Sequence, residues 1–354
     1  MAQAKKKTKR SRSSLSIESN PGAYKAALPR QLSPQLATLS ADVPARGDWL
    51  YEIKFDGYRL LARFENGKPA LITRRGNDWS SKMPGLIREL ATLGIESAWL
   101  DGEIVVLGEH GAPDFNALQN AFDANNSRGI VYFLFDVPFF DGYDLRNAPL
   151  RERRQLLEAI LSDKATEHVR FSEAFEGNPA TILASACKMK LEGIIAKRAN
   201  APYQTRRTED WLKLKCRHRQ EFVVGGYVDR AGASGQVGSL LLGFYEAGEL
   251  MFAGSVGTGW NSDEAAALKM KLAKLERNTS PFAGEPPKQG RWSKRKPGAE
   301  RWVEPRLVAE VEFSEWTPDG HIRHAAYVGL RTDKPAKQIV REIAIASPGI
   351  NPRR

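Results

Sequence analysis

The hydrophobic positions of residues 28–215 follow two different spacings. Apolar residues that are adjacent or that alternate with polar ones predict β-strands, and these runs are "WLYEIKF", "YRLLARF", "PALITR", "AWLDGEIVVL", "IVYFLFDVPFF", "EGIIAKR" and "WLKLK". Between them, apolar residues recur every three to four positions, as in amphipathic helices, in "MPGLIRELATL", "FNALQNAFDA", "PLRERRQLLEAIL" and "NPATILASACKMK". This part of the chain is therefore predicted to form a domain of mixed helices and strands.

The pattern changes after Cys216, where short apolar runs are broken by glycine. The runs are "EFVVGGYVD", "VGSLLLGFY", "LMFAGSVG", "LVAEVEFSEWT" and "HAAYVGLR", and "SDEAAALKMKLAKL" has the spacing of a helix. Five short strands around one helix predict a small β-barrel of the OB-fold type. We therefore predict an α+β protein with a basic disordered tail at 1–22, a mixed domain at 23–216, an OB-fold domain at 217–348 and a C-terminal tail at 349–354.

The composition is typical of an ordinary globular protein. The chain has 354 residues, of which 42% are hydrophobic, and this is enough for two domains. No apolar run approaches the ~20 residues that span a bilayer, so we expect no membrane partner and a cytoplasmic, nucleoid-associated location. The two cysteines, Cys187 and Cys216, are far apart in sequence. We expect neither a disulfide framework nor a zinc site, and we expect Cys187 to pack within a helix.

The positive charge is concentrated in a few segments. The formal net charge is +11, and the first 17 residues carry six Lys or Arg and no acid. A second basic segment is "PPKQGRWSKRKPGAERW", which is too polar for the core and is predicted to be an exposed loop. Segregated positive charge can serve solubility alone, but it more often indicates a polyanionic partner. We expect DNA contacts from Lys294, Arg295 and Lys296 in this loop.

Several charged residues interrupt strands that are otherwise apolar. They are Lys54, Glu103, Asp136, Glu192, Lys197, Lys213 and Lys215. Each could lie on a solvated strand face or in a structural ion pair. Lys213 and Lys215 are two positions apart in "WLKLK", so they share one face of their strand and could present two cations to a phosphate.

Lys54 lies in "YEIKFDGYRL", directly before an Asp-Gly turn. A nucleophilic lysine must lose its proton, and its ordinary pKa is ~10.4. Nearby cations such as Lys213, Lys215 or a bound divalent metal would disfavour the protonated form. A phosphoryl group is the electrophile that also requires cations around it. The chain has no Gly-rich Walker loop, so a covalent route through lysine is favoured.

"KFDGYR" resembles the lysine motif of the ATP-dependent DNA ligases and mRNA capping enzymes, the covalent nucleotidyltransferases. "TRRG", "DGEIV", "YFLFDV", "EGIIAKR", "WLKLK" and "LRTDK" follow in the family's order. The resemblance covers residues 28–345 and is strongest to the ligase module of bacterial ligase D, the end-joining ligase. It implies an adenylation domain and an OB-fold domain joined by a hinge near Cys216.

The resemblance implies a role for individual residues. Lys54 would attack the α-phosphate of ATP, release pyrophosphate and hold AMP as a phosphoramidate. The implied ATP contacts are Glu52 and Phe135 at adenine, Glu103 at the ribose, and Arg59, Arg74, Arg207, Lys213 and Lys215 at the phosphates. Asp56, Glu103 and Glu192 would bind Mg2+ or Mn2+. Arg331, Asp333 and Lys334 would orient the leaving pyrophosphate, and Arg59 and Arg74 would also grip DNA.

The implied function is sealing of nicked or broken duplex DNA in end-joining repair. We expect ATP as the nucleotide substrate, a monomer, and a Ku-like end-binding protein as a possible partner. The sequence leaves open which of Arg206 and Arg207 faces the nucleotide, and whether the chain stands alone or belongs to a larger protein. Two other functions remain open, namely a capping guanylyltransferase that uses GTP and a non-catalytic OB-fold nucleic-acid binder.

Overall fold

The chain forms two compact units, which consist of Met1–Cys216 with Ala344–Arg354 and of Arg217–Ile343. The computed structural model describes residues 17, 20–108, 111–123, 126–162, 164, 166–175, 177–284 and 299–345. The predicted basic tail lies largely outside the described residues, as do Lys294, Arg295 and Lys296. Within the described part of the chain, no helix is both long and apolar enough to cross a membrane.

The first unit contains both helices and strands, as the spacing predicted. Its strands are β1 (Tyr24–Lys25), β2 (Leu36–Leu39), β3 (Trp49–Ile53), β4 (Tyr58–Glu65), β5 (Lys68–Thr73), β6 (Ser97–Val106), β7 (Ile130–Phe140), β8 (Tyr143–Asp144), β9 (Val169–Phe171), β10 (Ala174–Phe175), β11 (Gly193–Arg198) and β12 (Arg207–Lys215). Its α-helices are α1 (Pro84–Ala91), α2 (Phe115–Asp123), α3 (Leu150–Ser162) and α4 (Pro179–Lys188), and Ser80–Lys82 forms a 3-10 turn.

Two sheets organise this unit. In one, the strand order is β1, β8, β7, β6, β4, β5, with β9 also paired to β7. In the other, the order is β10, β3, β11, β12, β2, and the pairings are antiparallel except for β12 with β2. Strand β7 is buried along nearly its whole length, which explains why its sequence is an almost continuous apolar run. The second sheet buries Trp49, Ile194, Leu212 and Leu214 in one cluster.

The C-terminal segment returns to the first unit. Ile345 forms a parallel bridge with Ser40, just beyond the end of β2. The N–H of Ala41 donates to the carbonyl of Ile345, and the N–H of Ile345 donates to the carbonyl of Leu39, each at 3.0 Å. The edge of the second sheet is therefore completed by a residue from the C-terminal end of the described chain.

The second unit is built mainly of strands. They are β13 (His218–Arg230), β14 (Ala233–Glu246), β15 (Glu249–Val256), β16 (Glu276–Arg277), β17 (Glu300–Val303), β18 (Val308–Phe313), β19 (Glu315–Trp316), β20 (Ile322–Arg323) and β21 (Ala326–Arg331), with helix α5 (Ser262–Ala273) and a 3-10 turn at Ala336–Gln338. Asn261 and Glu264 form a capping box at the start of α5, which satisfies two backbone donors at the helix end.

Strand β13 organises the second unit because it pairs with three other strands. It is antiparallel to β14 along one edge and to β17 and β18 along the other, and β18 continues to β21. The first two strands are longer than the glycine-broken pattern predicted, since the glycines lie inside them at register shifts. The core of this unit includes Phe222, Tyr227, Leu240 and Leu272.

The prediction that the two cysteines remain separate was wrong. Cys187 and Cys216 form a disulfide, with their Cα atoms 5.2 Å apart. Cys187 lies in the last turn of α4, and the chain then enters β11 and returns along its antiparallel neighbour β12. The N–H of Cys216 donates to the carbonyl of Glu192 at 3.0 Å. A sequence separation of 29 residues is thus closed by a strand pairing that spacing alone does not reveal.

Candidate active site

Lys54 follows directly after β3 and is held by the neighbouring strand. Its backbone N–H donates to the carbonyl of Gly193 at 3.0 Å. Its Nζ donates to Oε2 of Glu192 at 2.5 Å, and the two side chains are 20% and 5% exposed. The pairing of β3 with β11 therefore places the predicted nucleophile against the predicted metal ligand.

Two glycines of the predicted motifs are required by close backbone approach. A Cβ at Gly57 would lie 2.0 Å from the carbonyl oxygen of Ile104. A Cβ at Gly193 would lie 2.0 Å from the carbonyl oxygen of Leu214, and Gly193 has a φ of +152°. Both distances are well below van der Waals contact, and the φ at Gly193 is one that other residues rarely adopt. These glycines let the strands that carry Lys54 and Glu192 approach their neighbours.

Three carboxylates act on the Lys54 ammonium. Burial works to lower its pKa, but Glu192, Glu103 and Asp56 favour the charged form and leave the pKa above its ordinary value. Glu103 also accepts the N–H of Gly57 at 3.1 Å. The structure thus brings the three predicted metal ligands into electrostatic range of one amine. In this arrangement Lys54 carries a proton at neutral pH.

These carboxylates suit a hard cation that is also bound by phosphate. Among the residues that the structure describes, no group of three His, Cys, Asp or Glu forms a metal cluster by itself. Mg2+ commonly binds through one or two carboxylates together with substrate phosphates. Glu192, at the Lys54 ammonium, offers oxygen donors of the required type. The residues present therefore fit a cation that enters with a nucleotide.

Arg59 is fixed by a buried carboxylate. Its Nε and Nη2 donate to the two oxygens of Asp101, both at 2.6 Å, and Nη2 also donates to the carbonyl of Gln35. Asp101 is fully buried and accepts the hydroxyl of Tyr203 at 2.6 Å. Bidentate pairing fixes the plane of a guanidinium. The buried Asp101 carboxylate therefore fixes the orientation of the Arg59 guanidinium.

Phe135, the predicted adenine platform, lies on β7 and is 6% exposed. Its ring packs edge-on against Trp211, with centroids 6.0 Å apart. The guanidinium of Arg59 lies 4.7 Å and the ammonium of Lys197 lies 4.2 Å from the centroid of the Phe135 ring. The ring is thus part of a small buried cluster and is in contact with two cations.

Glu52 is buried, with 2% of its surface exposed. Its Oε1 accepts from Nη1 of Arg154 at 2.8 Å and pairs with Nζ of Lys197 at 2.7 Å. Its Oε2 accepts the hydroxyl of Ser172 at 2.8 Å. Burial lowers the pKa of Lys197 to about 8, although Glu52 works in the opposite direction. The residue two positions before Lys54 is therefore fixed by three side chains from other elements.

Lys213 and Lys215 share one face of β12, as predicted. They lie opposite Ile195 and Gly193 of β11, and both are partly buried. The alternate residues Leu212 and Leu214 are buried in the core cluster of the second sheet. The two lysines therefore lie on the face of β12 opposite to the buried leucines.

The remaining predicted arginines of this unit lie at its surface. Arg74 is exposed directly after β5. Arg206 donates to its near neighbour Gln204 at 2.9 and 3.1 Å, whereas Arg207 donates to the carbonyl of Ala37 on β2. Arg207 therefore supports the parallel pairing of β12 with β2.

In the second unit the predicted cations are held by acids. Arg331 donates to Asp333 through two nitrogens, both at 2.9 Å, and to Glu310 at 3.0 Å. Lys334 donates to Glu221. Burial opposes the charge on Arg331, but Asp333 and Glu310 outweigh it and raise the pKa. The "LRTDK" motif is thus part of an ion-pair network within its own unit.

The sequence does not reveal the residues that hold Glu52 and Arg59 in place. Arg154 and Ser172 were given no role, and neither were Asp101 and Tyr203. One signal was available in "PLRERRQLLEAIL", where Arg153 and Arg154 fall on the buried stripe of α3. Charged residues at apolar positions of a helix indicate buried partners. The identity of those partners depends on contacts across long stretches of sequence.

Known families match most of the chain. Residues 34–215 match the ATP dependent DNA ligase domain, and residues 233–334 match the ATP dependent DNA ligase C terminal region. The multifunctional non-homologous end joining protein LigD of Pseudomonas aeruginosa is 44% identical over 333 residues, or 93% of this chain and 39% of that protein. The corresponding DNA repair protein LigD of Mycobacterium tuberculosis is 39% identical over 88% of this chain and 40% of its own length. This chain therefore spans about 40% of these relatives.

A solved structure is similar in both sequence and fold. Mycobacterial DNA ligase D complexed with ATP and MES has a TM-score of 0.64 and 38% identity, over 88% of this chain and 98% of that one. Together with the two family matches, this confirms the prediction of an adenylation domain followed by an OB-fold domain.

Proposed function

Since this chain belongs to the ATP-dependent DNA ligase family, we propose that it forms a covalent lysyl-AMP at Lys54 and seals breaks in duplex DNA. The observation that carries this proposal is the placement of Lys54 against Glu192 by the pairing of two strands. An amine beside oxygen donors for a cation is what attack on a nucleotide α-phosphate requires. The similarity to a ligase D bound to ATP supports ATP as the substrate.

The roles proposed for the other residues follow the family motifs. Lys213 and Lys215 bind the AMP phosphate, and Glu103 binds the ribose. Glu52 and Phe135 recognise adenine, while Arg59, Arg74 and Arg207 bind phosphates of AMP or of the 5′ DNA end. From the second unit, Arg331, Asp333 and Lys334 act on the leaving pyrophosphate. Cations directed at developing negative charge stabilise the transition state of phosphoryl transfer.

We propose Mg2+ or Mn2+ as the cation, bound by Glu192 with Asp56 or Glu103. When bound, it supplies a Lewis acid that neutralises phosphate charge. In the structure, Glu192 accepts a hydrogen bond from the protonated Lys54 side chain. Glu192 would be shared between this cation and the Lys54 ammonium, so the same carboxylate would connect nucleotide binding to loss of the Lys54 proton.

The DNA substrate and setting are proposed by analogy with the relatives. Their names include non-homologous end joining and DNA repair, so nicked or broken duplex DNA is the proposed substrate and a Ku-like protein a proposed partner. The predicted boundary between residues 216 and 217 coincides with the division into two units, but the predicted end of the second domain at 348 does not, because Ala344–Arg354 belongs with the first unit. We propose a monomeric protein. The segment predicted as an exposed loop at 286–302 ends in strand β17, which begins at Glu300. The lysines and arginines of the N-terminal tail and of residues 286–299 are proposed to bind phosphates.

The test is transfer of radioactive label from nucleotide to protein. The wild-type chain, incubated with α-labelled ATP and Mg2+, should carry label through a denaturing gel, and Lys54→Ala should carry none. Lys82→Ala is the matched control, since Lys82 lies on the 3-10 turn of the same unit. GTP that labels the wild type better than ATP would favour a capping-type activity. Label retained on Lys54→Ala would contradict the nucleophile.

A further inference from the structure

Arg154 and Ser172 act together on a single carboxylate. Arg154 donates through Nη1 to Oε1 of Glu52 at 2.8 Å and through Nη2 to the backbone carbonyl of Ser172 at 2.6 Å. The hydroxyl of Ser172 donates to Oε2 of Glu52 at 2.8 Å. The arginine thus holds the carboxylate and also the residue that holds its other oxygen. We call this pair, Arg154 and Ser172, the Glu52 bracket.

The two carboxylate oxygens of Glu52 differ in the number of groups that contact them. A carboxylate oxygen can accept about two hydrogen bonds. Oε1 is contacted by both Arg154 and Lys197. Among the residues that the structure describes, Ser172 is the one donor to Oε2. Oε2 is therefore the oxygen with acceptor capacity to spare, and the bracket fixes its direction.

Stability alone does not account for this arrangement. A buried ion pair is often no more stabilising than apolar side chains of the same volume, because desolvation of the charges is costly. Glu52 is met by two cations, Arg154 and Lys197, so the cluster carries more positive than negative charge. Arrangements of this kind are retained where a carboxylate must keep a fixed direction.

We propose that Arg154 and Ser172 are positioning residues, which fix Oε2 of Glu52 as the acceptor for the 6-amino group of adenine. This inference rests on the proposed function, in which Glu52 recognises adenine. A purine without that amino group offers no donor to Oε2, and guanine places an oxygen there, which a carboxylate repels. Selection of ATP thus depends on side chains that do not themselves contact the nucleotide.

The experiment compares ATP with purine riboside 5′-triphosphate, which lacks the 6-amino group. We would measure kcat and KM for lysyl-AMP or lysyl-nucleotide formation with each. The wild type should prefer ATP about tenfold in kcat/KM, the usual effect of one hydrogen bond to a charged group. Arg154→Met and Ser172→Ala should bring the ratio toward one, mainly by raising the KM for ATP, and Arg154→Lys should restore part of it.

Arg151→Met is the matched control, because Arg151 lies on the same helix and its side chain is 41% exposed. Its nucleotide preference should equal that of the wild type. Equal losses with both nucleotides in Arg154→Met and Ser172→Ala would overturn the proposal and leave a structural role. Ser172→Ala removes only a hydroxyl, so it decides the matter if Arg154→Met fails to fold. If the wild type prefers ATP and the two variants keep the same preference, the role of the Glu52 bracket is refuted but the proposed function is not. If neither nucleotide labels the wild type, the proposed function is refuted as well.

Discussion

Lys54 donates a 2.5 Å hydrogen bond to Glu192, and this contact keeps the amine protonated. The two residues are 138 positions apart in sequence and meet because β3 and β11 are neighbours. Strand pairing therefore brings the two residues together, but the lysine is inactive in this state because an ammonium cannot act as a nucleophile. Removal of the acceptor should change the protonation of the amine in a measurable way.

We expect Glu192→Gln to lower the pKa of Lys54. The neutral amide no longer favours the ammonium, while burial continues to disfavour it. Labelling of Lys54 by an amine-reactive reagent without nucleotide, followed across pH by peptide mass spectrometry, reports the neutral fraction. The labelling curve should shift to lower pH by at least about one unit. The control is Glu209→Gln, an exposed acid on β12, and an unshifted curve in Glu192→Gln would contradict this account.

Loss of the disulfide should destabilise the first unit. The bond closes a loop with a sequence separation of 29 residues, and the chain-entropy model gives about 3–4 kcal/mol for such a loop. Chemical denaturation of Cys187→Ser under oxidising conditions should show this decrease in the free energy of unfolding. Reductant should destabilise the wild type by a similar amount and leave the double variant Cys187→Ser, Cys216→Ser unchanged. An effect of reductant on the double variant would show that another process is responsible.

Lys197 should give the unfolding free energy a dependence on alkaline pH. Its pKa is about 8 in the folded chain against an ordinary value of 10.5. Between these values the unfolded chain binds more protons, so stability from this residue increases as pH rises through the window. Relative to Lys197→Met, the wild type should gain on the order of 3 kcal/mol from pH 8 to pH 10.5. Lys188→Met, at an exposed lysine, should show no such trend, and a flat difference for Lys197→Met would refute the lowered pKa.

Lys334 offers the cleaner test of the "LRTDK" motif. Arg331 is 8% exposed and pairs with the buried Glu310 and the partly buried Asp333. Arg331→Ala leaves both acids without this partner and should cost about 3 kcal/mol of stability. Lys334 is 28% exposed, so its loss should affect stability less. Lys334→Ala should lose about a hundredfold in lysyl-AMP formation and seal a pre-adenylylated nick within a few-fold of the wild type.

Lys337→Ala, at an exposed lysine of the same segment, is the control for Lys334→Ala. Both assays are run on one preparation of each variant. Equal losses in the two steps for Lys334→Ala would assign the residue to DNA binding or folding instead of pyrophosphate release.

The sequence was sufficient to locate Lys54, Glu192, Lys213 and Lys215. Lys213 and Lys215 lie within β12, whereas Lys54 directly follows β3 and Glu192 directly precedes β11. Local pattern and strand period are enough to single out such charged residues beside or within apolar runs. The helices were also predictable, because their apolar spacing and buried faces agree. These features depend on neighbouring residues in the sequence, and they are present in the structure.

The supporting contacts were not predictable in the same way. Glu52 meets Arg154 and Ser172 across 102 and 120 residues, and no local pattern specifies such a partner. The disulfide was missed for a related reason, since Cys187 and Cys216 approach only after β11 and β12 pair. Tertiary pairing decided these contacts.

The bridge between Ser40 and Ile345 has a consequence for how the chain can be divided. Because Ala344–Arg354 belongs with the first unit, the second unit is an insertion whose two ends both connect to one body. A fragment that stops at Cys216 would expose to water the backbone groups of Leu39 and Ala41 that bond to Ile345. A protease cut at Arg217 would place Ile345 on one fragment and its hydrogen-bond partners Leu39 and Ala41 on the other. The chain leaves the first unit after Cys216 and returns to it at Ala344, so no single cut separates the two units with both of them complete.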